Sequence, residues 1–221
     1  MIKTDFFNFF YELSLNNNRN WFLEHKKDYE TKVKEPFELL VGEIILGLKE
    51  FVPGLKMEVK DAIFRINRDI RFSNDKTPYK IHMAAAFNPE GTKTAEKPGF
   101  YIQVGLNICE IGGGLYCPTK DDLIKVRKAM MDDEKKWHAL VEDEAFVDSF
   151  GGLQGEKNKI LQEPFKSAAT NNPDLYFKQF FFMRELDHEY FIENENPAQA
   201  IVGHYKNGWN LVNFINNTLK P

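Results

Sequence analysis

The chain has 221 residues, of which 43% are hydrophobic and 28% charged, proportions that are ordinary for a soluble globular protein. Its formal net charge of -4 argues against a protein whose main role is to coat nucleic acid, so any anion binding must be local. No apolar run approaches the ~20 residues that span a membrane, and Cys109 and Cys117 form no C-x-x-C pair. We therefore expect a cytoplasmic protein without disulfides or membrane contact.

The first 52 residues are predicted to be helical. Thr4 is placed to cap a first helix, in which large apolar residues recur at helical spacing. Asn20 is predicted to cap a second helical stretch that runs towards residue 51. Pro36 lies inside that stretch and is expected to kink or divide it, because proline removes a backbone donor.

Residues 57–118 are predicted to form a strand-rich core. Within residues 63–72 an apolar set alternates with a polar set, namely Phe64, Ile66, Ile70 and Phe72 against Arg65, Asn67, Asp69 and Arg71. This two-residue period predicts a half-buried strand whose apolar set is buried on one face. Residues 73–79 are predicted to be a loop that closes a hairpin with a strand at 80–87, and residues 100–107 a third strand.

The remainder, residues 119–221, is predicted to be helical or mixed. Gly112, Gly113 and Gly114 are interpreted as a tight turn ahead of a helix that Thr119 and Asp122 start with a capping box. Residues 177–186 fit a strand or a helix equally well, and residues 204–219 form a closing amphipathic helix. The order predicts a single α+β domain over residues 1–221, with an antiparallel sheet and central hairpin packed against N- and C-terminal helices.

Residues 65–82 concentrate cationic side chains in an otherwise acidic chain, namely Arg65, Arg68, Arg71, Lys76, Lys80 and His82. In the predicted hairpin, most of these side chains share one face. Guanidinium groups match carboxylate and phosphate oxygens in bidentate geometry. The pattern therefore predicts a site for a phosphate- or carboxylate-bearing small molecule.

Eight residues of this segment match the pattern R-x-x-R-D-x-R-F-x-x-D-K-x-x-Y, namely Arg65, Arg68, Asp69, Arg71, Phe72, Asp75, Lys76 and Tyr79. On this pattern the chain resembles the bacterial and fungal family catalogued as DUF2461, a domain of unknown function. The resemblance covers most of the chain. It implies which positions belong to the family's motif, but it implies no activity, because the family has no established one. The predicted ligand-binding residues are Arg65, Arg68, Arg71, Lys76, Tyr79 and Lys80.

Asp69 and His82 are the pair considered for acid–base catalysis, because an imidazole titrates near neutral pH. Whether the protein is an enzyme is left open. The five histidines show no H-E-x-x-H or Cys/His pairing, so no metal site is predicted, and no cofactor is predicted either.

Two other readings of the cationic segment remain open. A non-enzymatic module could bind nucleic acid or an acidic protein partner, because the cations are interleaved with Phe72 and Tyr79. Alternatively, Asp61, Asp69 and Asp75 could neutralise the arginines in a structural ion-pair lattice. Exposed salt bridges contribute only ~0–1 kcal/mol each to stability, so stability alone is a weak explanation for so many charged residues in one segment.

Overall fold

The structure is a computed structural model that describes residues 1–220. Its helices are α1 (Thr4–Leu15), α2 (Arg19–Glu24), α3 (Lys26–Asp28), a π-helix (Tyr29–Lys34), α4 (Glu35–Leu48), α5 (Val59–Ala62), α6 (Lys120–Asp132), α7 (Glu134–Val141), α8 (Glu144–Phe150), α9 (Phe165–Ala168), a 3-10 helix (Pro173–Tyr176), α10 (His188–Ile192) and α11 (Pro197–Leu219). Its strands are β1 (His82–Phe87), β2 (Gly99–Gly105), β3 (Cys109–Leu115) and β4 (Phe180–Leu186).

The strands form one four-stranded antiparallel sheet in the order β1-β2-β3-β4, so strands that follow each other in the chain are neighbours in the sheet. This arrangement confirms the predicted α+β class. The chain clusters into two compact units, each discontinuous in sequence. Unit 1 comprises Met1–Lys93, Tyr101–Ile111 and Glu185–Val202, and unit 2 comprises Thr94–Phe100, Gly112–Arg184 and the chain from Gly203 onward.

The core of unit 1 is built on aromatic rings of the helical N-terminal part. Phe6 and Phe10 of α1 are fully buried, with ring centroids 5.2 Å apart in an edge-to-face arrangement that the ring quadrupoles favour. The helix starts differ from the prediction: α1 begins at Thr4 itself, and Asn18 rather than Asn20 caps α2 by accepting a bond from the Trp21 amide. Near Pro36, where a kink or division was predicted, the helix changes type without a break: a π-helix ends at Lys34, α4 begins at Glu35, and both residues have helical backbone angles.

The core of unit 2 forms around large rings from α7, α8 and β4. Trp137 is fully buried, and its indole Nε1 donates to Asp174 Oδ2 over 3.0 Å, which satisfies the buried donor. Phe182 packs against Phe146 and Phe150, with ring centroids 5.1 and 4.4 Å away. Residues 177–186, for which the sequence allowed either a strand or a helix, contain strand β4.

The predicted strand at residues 63–72 is wrong. Antiparallel pairing is limited to isolated bridges, Ile63 with Ala85 and Asn67 with Tyr79, and it stops there. Beyond that point the Asp69 and Asp75 carboxylates accept bonds from the backbone amides two residues further on, at 3.2 and 2.9 Å. Such local side-chain bonds favour turns and compete with a strand ladder.

The prediction that the alternating apolar residues are all buried on one face is wrong as well. Ile66 is 7% exposed and belongs to the core, whereas Phe72 is 94% exposed. Phe64 and Ile70 are only partly buried. The two-residue period of these apolar residues therefore does not reflect a single buried face.

The glycine turn predicted at residues 112–114 is also wrong, because all three glycines lie inside β3. A Cβ atom at Gly112 would collide with Phe182 O and Met183 of β4, and Gly114 has a φ of +109°, a conformation that L side chains rarely adopt. Close approach of β4 therefore explains this glycine run. The capping box of Thr119 and Asp122 at the start of α6 is confirmed.

Two alanine substitutions distinguish the structure from the simple alternation. Ile66→Ala should lower the free energy of unfolding by about 2–5 kcal/mol, because it removes a buried side chain. Phe72→Ala should change it by no more than about 0.5 kcal/mol, because that ring is in solvent. Denaturant unfolding of both variants tests this pair, and a comparable loss in each would contradict the assigned burial.

Candidate anion-binding site

Two of the predicted ligand-binding arginines are bonded inside their own loop. Arg71 forms a bidentate pair with Asp69, with Nε–Oδ1 at 3.0 Å and Nη2–Oδ2 at 2.7 Å. Arg68 donates to the Asp75 carboxylate and to the Thr77 hydroxyl. The hydrogen bonds of Arg71 and Arg68 lower the pKa of Asp69 and of Asp75 to about 2; for Asp75 the larger cause is the bond from the Thr77 amide. These pairs form part of the ion-pair lattice that the sequence left as an alternative; Asp61, its third predicted acid, forms no salt bridge within residues 1–220.

Lys76 and Tyr79 also have partners within the fold. The Lys76 ammonium donates to Ile70 O over 2.9 Å, which closes the loop 70–76. Tyr79 is 8% exposed, and its ring stacks on Phe22 with centroids 4.1 Å apart. Its amide and carbonyl both bond to the Asn17 side chain, at 3.1 and 2.9 Å. Tyr79 therefore fixes the segment against α2.

Arg65 and Lys80 are the cations of the segment that lack an acidic partner. Within residues 1–220 neither forms a salt bridge or a side-chain hydrogen bond, and the Lys80 ammonium instead lies 5.6 Å from the centroid of the Phe64 ring. Arg65 is exposed and Lys80 is partly buried. Burial lowers the pKa of Lys80, and the positive charge of Arg65 lowers it further, so the two cations lie close enough to repel each other.

His82 adjoins this pair at the first residue of β1. Burial lowers the pKa of His82 to about 4, and the charge of Lys80 contributes to the shift. The imidazole is therefore neutral at physiological pH. Arg65, Lys80 and His82 thus form a cluster, here called the cationic cluster, that offers several donors. The charge of Arg65 helps to lower the pKa of Asp69, so this carboxylate lies within electrostatic range, but its hydrogen bonds go to Arg71.

The acid–base pair suggested by the sequence is not assembled in the structure. Asp69 is bonded to Arg71, and no hydrogen bond joins it to His82 in the described part of the chain. Their pKa values of about 2 and about 4 both lie well below neutrality. A catalytic role for either residue stays a prediction that this geometry does not favour.

The cationic cluster lies at one end of a polar sheet face in unit 1. Gly105 of β2 lies opposite His82, so the alternation along β2 puts Gln103 and Tyr101 on the same face as His82. The Tyr101 hydroxyl donates to Gln103 Oε1 over 3.0 Å. Ala84, the next residue of β1 on this face, is only 4% exposed.

Two acids on this face were missed by the sequence reasoning. Gly112 and Gly114 lie opposite Met183 and Phe181, and this register places Glu110 directly across from Glu185. Burial raises the pKa of Glu110, and the charge of Glu185 raises it further. The sequence does contain a signal for this position, because Glu110 is the one charged residue of "CEIGGGL". It can be assigned to the polar face only after the glycines have been placed in a strand.

The chain belongs to the family described as "Conserved hypothetical protein (DUF2461)", whose model matches residues 5–214. That match confirms the family resemblance inferred from the sequence. Neither the curated proteins nor the solved structures contain a match to this chain. Within residues 1–220 no group of three or more His, Cys, Asp and Glu could hold a metal ion, and none of these residues forms a helix long and apolar enough to cross a membrane.

Replacing Glu110 with glutamine should stabilise the protein, and more so at higher pH. A carboxyl whose pKa is raised in the folded state contributes stability below its unfolded pKa and loses it as pH rises through the folded pKa. Glu110→Gln should therefore raise the unfolding midpoint at pH 8 and have a smaller effect at pH 4. Thermal unfolding of both proteins across this range measures the difference, with exposed Glu12→Gln as the control. A larger gain at pH 4 than at pH 8 would contradict the assigned shift.

Proposed function

We propose that this protein binds a phosphate- or carboxylate-bearing small molecule at Arg65 and Lys80, beside His82. The observation that carries the proposal is the unpaired state of these two neighbouring cations within residues 1–220. In the same segment three other cations, Arg68, Arg71 and Lys76, are each bonded within the loop. Two like charges held close together, with the neighbouring Asp69 carboxylate hydrogen-bonded to Arg71 rather than to either of them, are a local arrangement that an anion would relieve.

The chemistry of the donors favours an oxyanion over a halide or a neutral ligand. Arg65 presents a planar fork that fits two oxygens of a phosphate or carboxylate, and Lys80 adds a point charge from the side. His82 can accept a proton when an anion lies nearby, which would add a third charge-assisted donor. Arg68, Arg71, Lys76 and Tyr79 remain predicted ligand residues, but a ligand would have to displace their present partners.

A second candidate function rests on a different observation. Phe72 is 94% exposed, and the Arg71 guanidinium carbon lies 5.8 Å from its ring centroid. An exposed ring beside an arginine suits stacking with a base of single-stranded nucleic acid. The net charge of -4 weighs against this alternative, because such proteins usually carry a positive surface that tracks the backbone.

Removal of Arg65 tests the first proposal. Sulfate is a suitable probe because it does not titrate near neutral pH. We expect Arg65→Ala to weaken saturable sulfate binding by about tenfold or more, since a charge-assisted bond is worth ~1.5–3 kcal/mol. Arg19→Ala is the matched control and should retain the affinity, because Arg19 is an exposed cation outside the cationic segment. Calorimetric titration measures both, and equal affinities in the two variants would refute the proposed site.

Sulfate binding at the cationic cluster should also change the titration of His82. The burial of His82 and the charge of Lys80 lower its pKa to about 4, and a bound anion would oppose the effect of Lys80. The pKa of His82 should therefore rise on binding, and each unit of rise corresponds to about a tenfold gain in affinity at low pH. NMR titration of the imidazole with and without sulfate measures this rise. His82→Asn should bind sulfate with little dependence on pH, and an unchanged His82 pKa would place the anion elsewhere.

The nucleic-acid alternative has its own test. If Phe72 stacks on a base, Phe72→Ala should weaken binding of a single-stranded oligonucleotide by ~1–3 kcal/mol, with a strong salt dependence. Gel shifts at low salt provide the measurement, with Arg65→Ala in parallel. Absence of any shift for the unmodified protein would remove this alternative while leaving the small-molecule proposal intact.

A further inference from the structure

Two carboxylates on the polar sheet face of unit 1 have no cationic partner. Glu110 of β3 is partly buried, Glu185 of β4 is exposed, and the register places them directly across from each other. Within residues 1–220 neither forms a salt bridge or a side-chain hydrogen bond. Burial and the charge of Glu185 raise the pKa of Glu110, and no cation opposes them. Like charges directly opposite each other destabilise a sheet, so a positive group placed there would relieve this pair.

A neutral polar side chain lies in the same row across the sheet as these acids. A Cβ atom at Gly113 would lie 2.8 Å from the Phe100 ring, which sets the register of β2 with β3 and places Gln103 across from Glu110. Gln103 Oε1 accepts a bond from the Tyr101 hydroxyl over 3.0 Å, and an amide oxygen has a second lone pair for another donor. Three acceptor groups therefore lie on adjacent strands of one face, here called the acceptor row, namely Gln103, Glu110 and Glu185.

The acceptor row suits a protonated amine better than a metal ion. An ammonium group has three donors and no acceptor, and the row offers one acceptor group for each donor. Two carboxylates would also compensate its charge. A metal site is not favoured, because no group of three or more His, Cys, Asp and Glu within residues 1–220 could hold a metal ion.

The acceptor row and the cationic cluster lie on the same sheet face without neutralising each other. Strand β2 separates β1 from β3, so His82 and Glu110 lie two strand spacings, about 10 Å, apart across the sheet. The pKa of Lys80 is lowered by burial and by the charge of Arg65, and no acid opposes this shift. Unit 1 therefore presents two cations at one end of this face and two acids further across it.

We propose that the ligand bound at the cationic cluster is bipolar: besides its phosphate or carboxylate group it carries a protonated amine, which the acceptor row binds. Such a ligand supplies an acceptor to the Arg65 guanidinium and donors to Glu110 and Glu185, so each like-charged pair gains the opposite charge that the fold does not provide. This inference rests on the proposed function, because it assigns a second charged group to the same ligand.

Aminohexyl phosphate and hydroxyhexyl phosphate test the inference, because they share the phosphate and the chain and differ in the charge of the far end. A hexyl chain has the reach of about 10 Å that two strand spacings require. We expect calorimetric titration of the full chain at pH 8 to give aminohexyl phosphate an affinity about tenfold or more above that of hydroxyhexyl phosphate, since its bonds to the row are charge-assisted.

Substitution of the two acids should remove this preference. In the double variant Glu110→Gln, Glu185→Gln the ratio of the two affinities should fall to about one, because the amide groups carry no charge to attract the ammonium. The affinity for hydroxyhexyl phosphate should stay unchanged in that variant. Glu12→Gln, at an exposed acid of α1, is the matched control and should keep the preference. Arg65→Ala should weaken the binding of both phosphates.

The outcomes separate this inference from the proposed function. If Arg65→Ala weakens both phosphates but the unmodified protein binds them equally, the anion site stands and the bipolar ligand is refuted. A preference for the amine that survives the double variant refutes it too. If neither phosphate binds, or if Arg65→Ala has no effect, the proposed function fails and the inference fails with it. NMR titration of the Glu110 carboxyl gives an independent readout: aminohexyl phosphate should lower its pKa, and hydroxyhexyl phosphate should not.

Discussion

The arrangement of cations in residues 65–82 depends on the hydrogen bonds of two carboxylates. Asp69 and Asp75 each accept the backbone amide two residues on, and each also holds an arginine, Arg71 and Arg68 respectively. These bonds turn the chain away from the ladder that begins at Ile63. Because both acids are hydrogen-bonded there, neither forms a salt bridge with Arg65 or Lys80, although the charge of Arg65 still acts on Asp69. The lattice and the candidate site are therefore two results of the same local chemistry.

The two unpaired arginines illustrate how solvent decides the consequence of a missing partner. Arg65 is exposed, so water screens its charge and the fold tolerates it without a ligand. Arg127 on α6 is 7% exposed, and the Phe177 carbonyl and the Phe165 ring beside it replace little of the hydration it lost. At the first position the missing partner therefore costs the fold little. At the second the lost hydration is a cost of folding that these contacts compensate only in part.

The sequence predicted the fold wherever local pattern and tertiary burial agree. The existence of α1, though not its predicted cap at Thr4, follows from the spacing of its apolar residues, as the strand β1 does from its alternation, and the capping box at Thr119 follows from cap chemistry. The strand at 63–72 failed because its polar residues bond to their own backbone, a competition that periodicity does not register. The glycines of β3 failed because a close approach by β4 can be recognised only after the sheet is assembled. The sequence showed that cationic side chains are concentrated in residues 65–82. It could not show which of them form ion pairs, because that depends on which cation each carboxylate binds in the folded chain.

The polar face of unit 1 has an electrostatic property that none of its residues has alone. Burial and neighbouring like charges shift three of its titratable groups towards their neutral forms: the pKa of Lys80 and of His82 is lowered, and that of Glu110 is raised. Arg65 cannot respond in this way, because a guanidinium stays protonated in proteins. An oxyanion placed against Arg65 would therefore oppose the lowering of the pKa of both neighbours and favour the protonated form of His82. Binding of the ligand would then be coupled to proton uptake, and the protons taken up would supply part of the positive charge that binds the ligand.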